Sequence, residues 1–454
     1  SQWGAHSYLF RILGGLQGWR EGSWLLQWDN AIGAVFIGLV FGLAPFVSNS
    51  LTGWLLASIL GYWLLLTLSE PKIWWGTQIH RLVWLYWGVA SIATAFSPVK
   101  KDALVGWSKL TLYLGLFMLL ARVLKSPRLR SWLIFLYLQV SLIVSIYGIR
   151  QWIAKVKPLA TWNDPDSAQA DVTRAYSYLG NPNLLAAYLL PAIALSIAAI
   201  FIWRGWLPKL LAITIAVTDI ACLKFTDSRG GLLGLIALSV TFVVLLFFWR
   251  KAQLPTFWRR WFLPIVLGTL TFGLVVLVAF LPGLRDRFLL VFSAKGDSSS
   301  QFRVNVWKGV VKMIQARPII GIGPGNNAFN KIYPLYQISP EYTALGAYSI
   351  LLEIAIESGF IGLVTFLWLL GTIFHQGLKQ LSRLKQVFSV GGFWLVAAGA
   401  GIVGLLVHGL VDTVWYRPEV NSIWWLMVGI VAAFVAQEQE YRLKSSNYPD
   451  NSMT

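Results

Sequence analysis

Apolar stretches of membrane-spanning length alternate with short polar breaks along most of the chain. They fall near residues 31–47, 51–68, 82–96, 103–121, 131–149, 184–203, 208–226, 231–249, 261–281, 350–374, 390–411 and 422–437. A helix needs about 20 apolar residues to cross the hydrocarbon core of a bilayer, and inside lipid it satisfies all its own backbone hydrogen bonds. The pattern therefore predicts an all-α polytopic membrane protein with about twelve transmembrane helices. Residues 1–29 are Trp-rich and charged and read as an N-terminal interfacial segment. The chain then divides into helices one to nine (30–281, with a polar loop at 150–183), a basic helical loop (282–347), helices ten to twelve (348–437) and a tail (438–454).

The 282–347 loop has structure of its own. Residues 303–316 read as an amphipathic helix: Val304, Val306, Trp307, Val310, Val311 and Ile314 make one face, and Lys308 and Lys312 stand opposite. Pro318 stops that helix. GIGPGNNAF (321–329) follows as a tight glycine turn whose backbone N–H groups can face an anion. No internal repeat is visible, which counts against the inverted-repeat transporter folds.

Composition agrees with the pattern: 57% of the 454 residues are hydrophobic and 25 are Trp. The net charge of +18 does not indicate nucleic acid, because the cations sit in loops between spans. Arg122, Lys125, Arg128, Arg130, Arg204, Lys209, Arg250, Lys251, Arg259, Arg260, Lys379, Arg383 and Lys385 fall on one side if every run crosses once. The positive-inside rule makes that side cytoplasmic, with both termini, in a multi-pass protein of the cytoplasmic membrane. Lys100 and Lys101 fall on the other side. No cleavable signal peptide is visible. The single cysteine, Cys222, lies in a span, so no disulfide framework exists.

The stretch from 281 to 347 carries eight Lys or Arg against three acids on the extracytoplasmic side, where the charge rule does not demand them. An anion site is the functional reading. Arg229, in SRGG at the outer mouth of a span, offers a bidentate fork beside two glycines; a snorkelling anchor is the structural alternative. Arg303 opens the amphipathic helix and can be an ordinary solvated residue instead. Arg174 precedes YSYLGNPN, where Asn-Pro reads as a helix entry. His408 is the histidine nearest the outer face, and Asp412, four residues on, makes the two a candidate proton relay or a structural pair. Asp219 and Lys224 share one span and Lys109 lies in another; such charges pair or face a polar cavity. Glu353 and Glu357, one turn apart, either answer the basic loop or favour a helix N-terminus.

SRGG, Arg303-x3-Trp307, RPIIGIGPGNNAF and AYSILLEIAIESGFIGL resemble the O-antigen ligase and Wzy polymerase superfamily. The resemblance implies glycan transfer from a polyprenyl-diphosphate carrier at the periplasmic face, with no metal and no cofactor. Arg229 and Arg303 match arginines that hold the diphosphate. The family's histidine base stands at Tyr348 here, with Ser349 in place of the following Asn. A phenol ionises near pH 10, far from what a base at neutral pH requires. YSYLGNPNLLAAYLLP and HGLVDTVWYRPE resemble the cyanobacterial IctB branch, which is linked to inorganic-carbon (bicarbonate) accumulation. Three readings are open: a membrane protein that binds or conducts a small anion such as bicarbonate, a glycan ligase or polymerase, and an accessory regulator of a transporter.

Overall fold

The structure, a computed structural model, describes residues 18–20, 22–70, 76–159, 173–280, 298–386 and 389–447. Most of the expected interfacial segment, and Arg285, Asp286, Arg287, Lys295 and Asp297 of the basic loop, lie outside the described residues.

Each apolar run is a helix. In chain order these are α1 (Asp29–Leu43), α2 (Asn49–Ser69), α3 (Gln78–Ala95), α4 (Lys100–Val123), α5 (Pro127–Ile153), α6 (Pro182–Ile202), α7 (Trp206–Phe225), α8 (Arg229–Arg250) and α9 (Thr256–Phe280). The loop contributes α10 (Ser298–Ala316) and α11 (Asn326–Ile332); α12 (Ile350–Gln386), α13 (Gly392–Gly409) and α14 (Pro418–Asn447) follow. Among the described residues, nine helices are long and apolar enough to cross a membrane. The chain is a multi-pass α-helical membrane protein.

Starts and stops follow local chemistry. Ser48, Ser126, Asn181 and Ser228 cap α2, α5, α6 and α8 through their side-chain oxygens. Pro127 and Pro182 sit at the first helical position, where the missing N–H costs nothing.

Helices α6, α13 and α14 are central: their most apolar windows are 78%, 83% and 94% buried, against 28% for α8. Small residues let them approach. A Cβ on Gly234 of α8 would lie 2.7 Å from the Gly404 carbonyl of α13. In lipid, where helices gain no hydrophobic drive to associate, such close packing holds them together. Peripheral α7 turns Ile213, Val217 and Ile220 outward, as a lipid-facing helix does.

Helix α12 is broken at Gly359 (φ 67°, ψ −170°), and the loop plugs the break. Phe360 N donates to Pro318 O at 2.7 Å, while Ile322 N and Gly323 N donate to Ile356 O and Glu357 O at 2.8 and 2.9 Å. Gly325 N donates to Glu357 Oε1 at 2.6 Å. The glycine turn thus spends these N–H groups on α12, which corrects the expectation that they face an anion. Ser97 anchors the same turn by donating to Ile322 O at 2.5 Å.

Helix α10 is amphipathic as expected, with one change of face. Val306, Val310 and Met313 are buried, whereas Val311 is 44% exposed. Trp307 Nε1 donates to Ala347 O at 3.0 Å and ties α10 to the segment before α12.

Candidate functional site

The site lies at the end of the bundle that carries the loop. Helix α8 begins there at Arg229, and Ser228 Oγ accepts from Gly231 N at 3.1 Å. A Cβ on Gly230 would stand 2.6 Å from His408 Cδ2, and one on Gly231 2.6 Å from Ala186 Cβ. These glycines press α8 onto α13 and α6, so Arg229 is delivered to a fixed place beside the helix N-terminus.

Arg174 stands at the centre of the cluster. Its Nε donates to Thr226 O at 2.9 Å and its Nη2 to Asn183 Oδ1 at 3.1 Å. Asp227, Asp412, Arg303 and Arg229 all lie within electrostatic range of it. Burial lowers the pKa of Arg174; the two carboxylates oppose that shift and the two neighbouring guanidiniums add to it. The guanidinium stays charged regardless.

Asp412 closes the network. Asn183 Nδ2 donates to its Oδ2 at 2.5 Å, Arg303 Nη2 approaches the same oxygen at 3.5 Å, and Thr413 N donates to Oδ1 at 2.8 Å. Three guanidiniums therefore face two carboxylates, and the group keeps a positive excess beside the N-terminal dipole of α8.

Tyr348 borders this cluster. Its φ is +48°, in the left-handed region, and Asp227 shares that conformation at +51°. Such strain persists only where the surroundings enforce it. Here Tyr348 N donates to Thr413 Oγ1 at 2.8 Å, and its ring meets Phe302 edge-on with centroids 5.8 Å apart. Burial, then the Asp412 carboxylate, pushes the phenol up to about 12. A cavity of about 90 Å³ opens between Tyr348, Asp412, Asn183, Asn326 and Tyr416.

A second cavity, about 160 Å³, lies against Lys109, Glu353 and Glu357. Asn326 and Tyr416 line both cavities. The other intramembrane charges are elsewhere. Asp219 is fully buried and accepts from Ser141 at 3.0 Å and Ser145 at 2.7 Å, which pins α7 to α5. Lys224 is exposed in the last turn of α7.

Arg174, Arg229, Arg303 and Asp412 thus come together, with Tyr348 at their edge. The relay geometry differs from the expectation. Helix α13 ends at Gly409, so Asp412 lies in the following turn and not one turn further along the helix. His408 is fully buried, and neither ring nitrogen has a hydrogen-bond partner among the described residues. Asn183 and Thr413 also belong to the cluster, beyond the residues expected from the sequence. The signal for Asn183 was present: NPN supplies the Asn181 cap, and a second Asn one residue inside the helix exceeds what capping needs.

Residues 214–367 match the family model described as O-antigen ligase. Over that segment the chain is similar to O-antigen ligases. The matched segment holds Arg229, Arg303, Tyr348 and Glu353, while Arg174, Asn183 and Asp412 come from outside it. The chain is 22% identical over 224 residues (48% of its length, 49% of the relative) to a Rickettsia felis protein named as a polysaccharide ligase. It is 24% identical over 215 residues (46% of each) to a similarly named protein of Rickettsia conorii. The chain therefore spans about half the length of these curated relatives.

Proposed function

We propose that the arginine cluster binds the diphosphate of a polyprenyl-diphosphate-linked glycan, and that the protein transfers the glycan to an acceptor hydroxyl. The observation that carries this is the convergence of Arg174, Arg229 and Arg303 at the N-terminus of α8, two of them inside the O-antigen-ligase match. Guanidinium forks suit phosphate oxygens, and a positive excess stabilises the leaving diphosphate as negative charge gathers on it. In the transfer, the acceptor oxygen bonds the anomeric carbon and the carbon–oxygen bond to the diphosphate breaks, its electron pair leaving with the phosphate. The acceptor's proton goes to Asp412, whose carboxylate is held between Asn183, Arg303 and the Thr413 N–H. This assigns the base role to Asp412 because Tyr348 holds its proton throughout the neutral range. The site end faces away from the cytoplasm in this reading.

The test is transfer in proteoliposomes from a labelled polyprenyl-diphosphate oligosaccharide, with inorganic pyrophosphate as competitor. Transfer that pyrophosphate inhibits, and that Arg229→Ala and Arg303→Ala each reduce, is the expected result. Unaltered transfer in both variants overturns it.

One observation favours a second reading, bicarbonate accumulation: the histidine of the family pattern is Tyr348 here. The same guanidiniums would then hold bicarbonate. Saturable uptake of labelled bicarbonate by those proteoliposomes, with no glycan transfer, would select that reading.

A further inference from the structure

Glu353 and Glu357 stand one turn apart on α12, deep in the bundle, yet both keep accessible surface. That surface faces the larger cavity. Glu357 spends Oε1 on the Gly325 N–H, and Glu353 takes the Thr413 hydroxyl as a hydrogen-bond partner. Each carboxyl has further acceptor positions beyond those bonds. Aromatic rings, among them Tyr86, Tyr113, Trp415 and Trp424, line the same space together with aliphatic residues such as Leu110 and Ile354. Lys109 is the cation of the lining.

We infer that this cavity binds a neutral saccharide, the acceptor of the transfer, with its hydroxyls on Glu353 and Glu357 and its ring against the aromatic wall. The two carboxyls give a saccharide polar partners that an acyl chain leaves unused. Sugar hydroxyls are donors that fit their spare acceptor positions. A ring's C–H face suits the electron-rich faces of Trp and Tyr. The volume of about 160 Å³ holds on the order of ten water-sized positions, the scale of one sugar ring. Asn326 and Tyr416 line this cavity and the smaller one beside Tyr348 and Asp412, so a saccharide here presents its far edge toward the carboxylate that takes its proton.

The inference rests on the glycan-transfer reading, and its test is separable from it. Saturation-transfer NMR on the full chain in lipid nanodiscs would use two probes, maltose and N,N′-diacetylchitobiose. Transfer to ring protons of at least one is expected. It should fall at least five-fold in Glu353→Gln and in Trp415→Leu, a variant that keeps both carboxyls, and persist in Arg229→Ala. No transfer to either probe, equal transfer in the cavity variants, or displacement of the sugar by bicarbonate overturns the saccharide assignment. Pyrophosphate titrated calorimetrically into the same nanodiscs reads the arginine cluster independently. Lost pyrophosphate binding with retained sugar binding would overturn the donor site alone.

Discussion

Arg303 Nη2 stands 3.5 Å from Asp412 Oδ2, joining the loop helix α10 to the turn after α13. A charge-assisted hydrogen bond between such groups is ordinarily about 2.7–2.9 Å long, so Asp412 takes only the edge of the guanidinium fork. An arginine held loosely by its own carboxylate is oriented without being saturated. Arg303→Lys and Arg229→Lys should each weaken pyrophosphate binding by roughly 10- to 100-fold, because a point charge does not replace a planar fork. Calorimetric titration of each variant checks this, and unchanged affinity in both would remove the anion site.

Asp412→Asn keeps the side chain's size and removes the proton acceptor. Glycan transfer should drop by about 10²–10⁴-fold, the range of a lost general base. Pyrophosphate affinity should hold or rise, since a negative charge leaves the cluster. A variant that binds normally and still transfers at the parental rate would show that another group takes the proton.

Much of this site was legible in the sequence, and the reasons differ by residue. Apolar run length gave the helices, since a bilayer imposes one length scale on all of them. Arg229 stood out beside two glycines, and Arg303 through the family resemblance. Asp412 was found by a spacing rule that did not apply: α13 stops at Gly409, and a helix period cannot be carried past a helix end. The glycine turn was misjudged because its N–H partners are carbonyls freed by a break at Gly359, about 35 residues downstream. Nothing local records such a long-range pairing. Glu353 and Glu357 read either as partners of the basic loop or as helix-start acids, because which face of α12 meets a cavity depends on α3, α4 and α14 packing around it.

Tyr348 should be silent as a base. With its phenol near 12, it carries a proton at every pH from 5 to 10, so Tyr348→Phe should leave the neutral-range pH profile of transfer in place. Tyr348→Gly should lower the unfolding temperature, because losing the ring's packing against Phe302 outweighs the relief of the φ +48° strain. Tyr348→His should increase the transfer rate near neutrality if the site lacks only an efficient base. A profile shifted by Tyr348→Phe would show that the phenol takes part in proton transfer.

His408 should prove dispensable for proton transfer. Its ring is wedged against Gly230, and both nitrogens lack partners among the described residues. A buried unpaired polar atom costs about 1–3 kcal/mol, so His408→Leu should keep or raise the unfolding temperature and leave the pH profile of transfer alone. A flattened profile in that variant would restore the histidine to the mechanism.

The break in α12 makes the sharpest demand on a single residue. Gly359 has φ +67°, and a Cβ there would lie 2.1 Å from the Ile319 carbonyl oxygen. Gly359→Ala must push the 317–325 segment out of the break, which strands Phe360 N and the carbonyls of Ile356 and Glu357. The loss should be about 3 kcal/mol or more, from backbone strain and unpaired polar groups together. It should also abolish saccharide and pyrophosphate binding, because Glu357 loses the Gly325 N–H and α10 loses its support. Gly371→Ala on the same helix is the control: a Cβ there meets nothing within 4 Å, and alanine favours helix by about 1 kcal/mol. Thermal unfolding in matched detergent should therefore separate the two variants in opposite directions. Equal unfolding temperatures would mean that the plug contributes nothing to the fold, and the coupling between loop and site would have no physical basis.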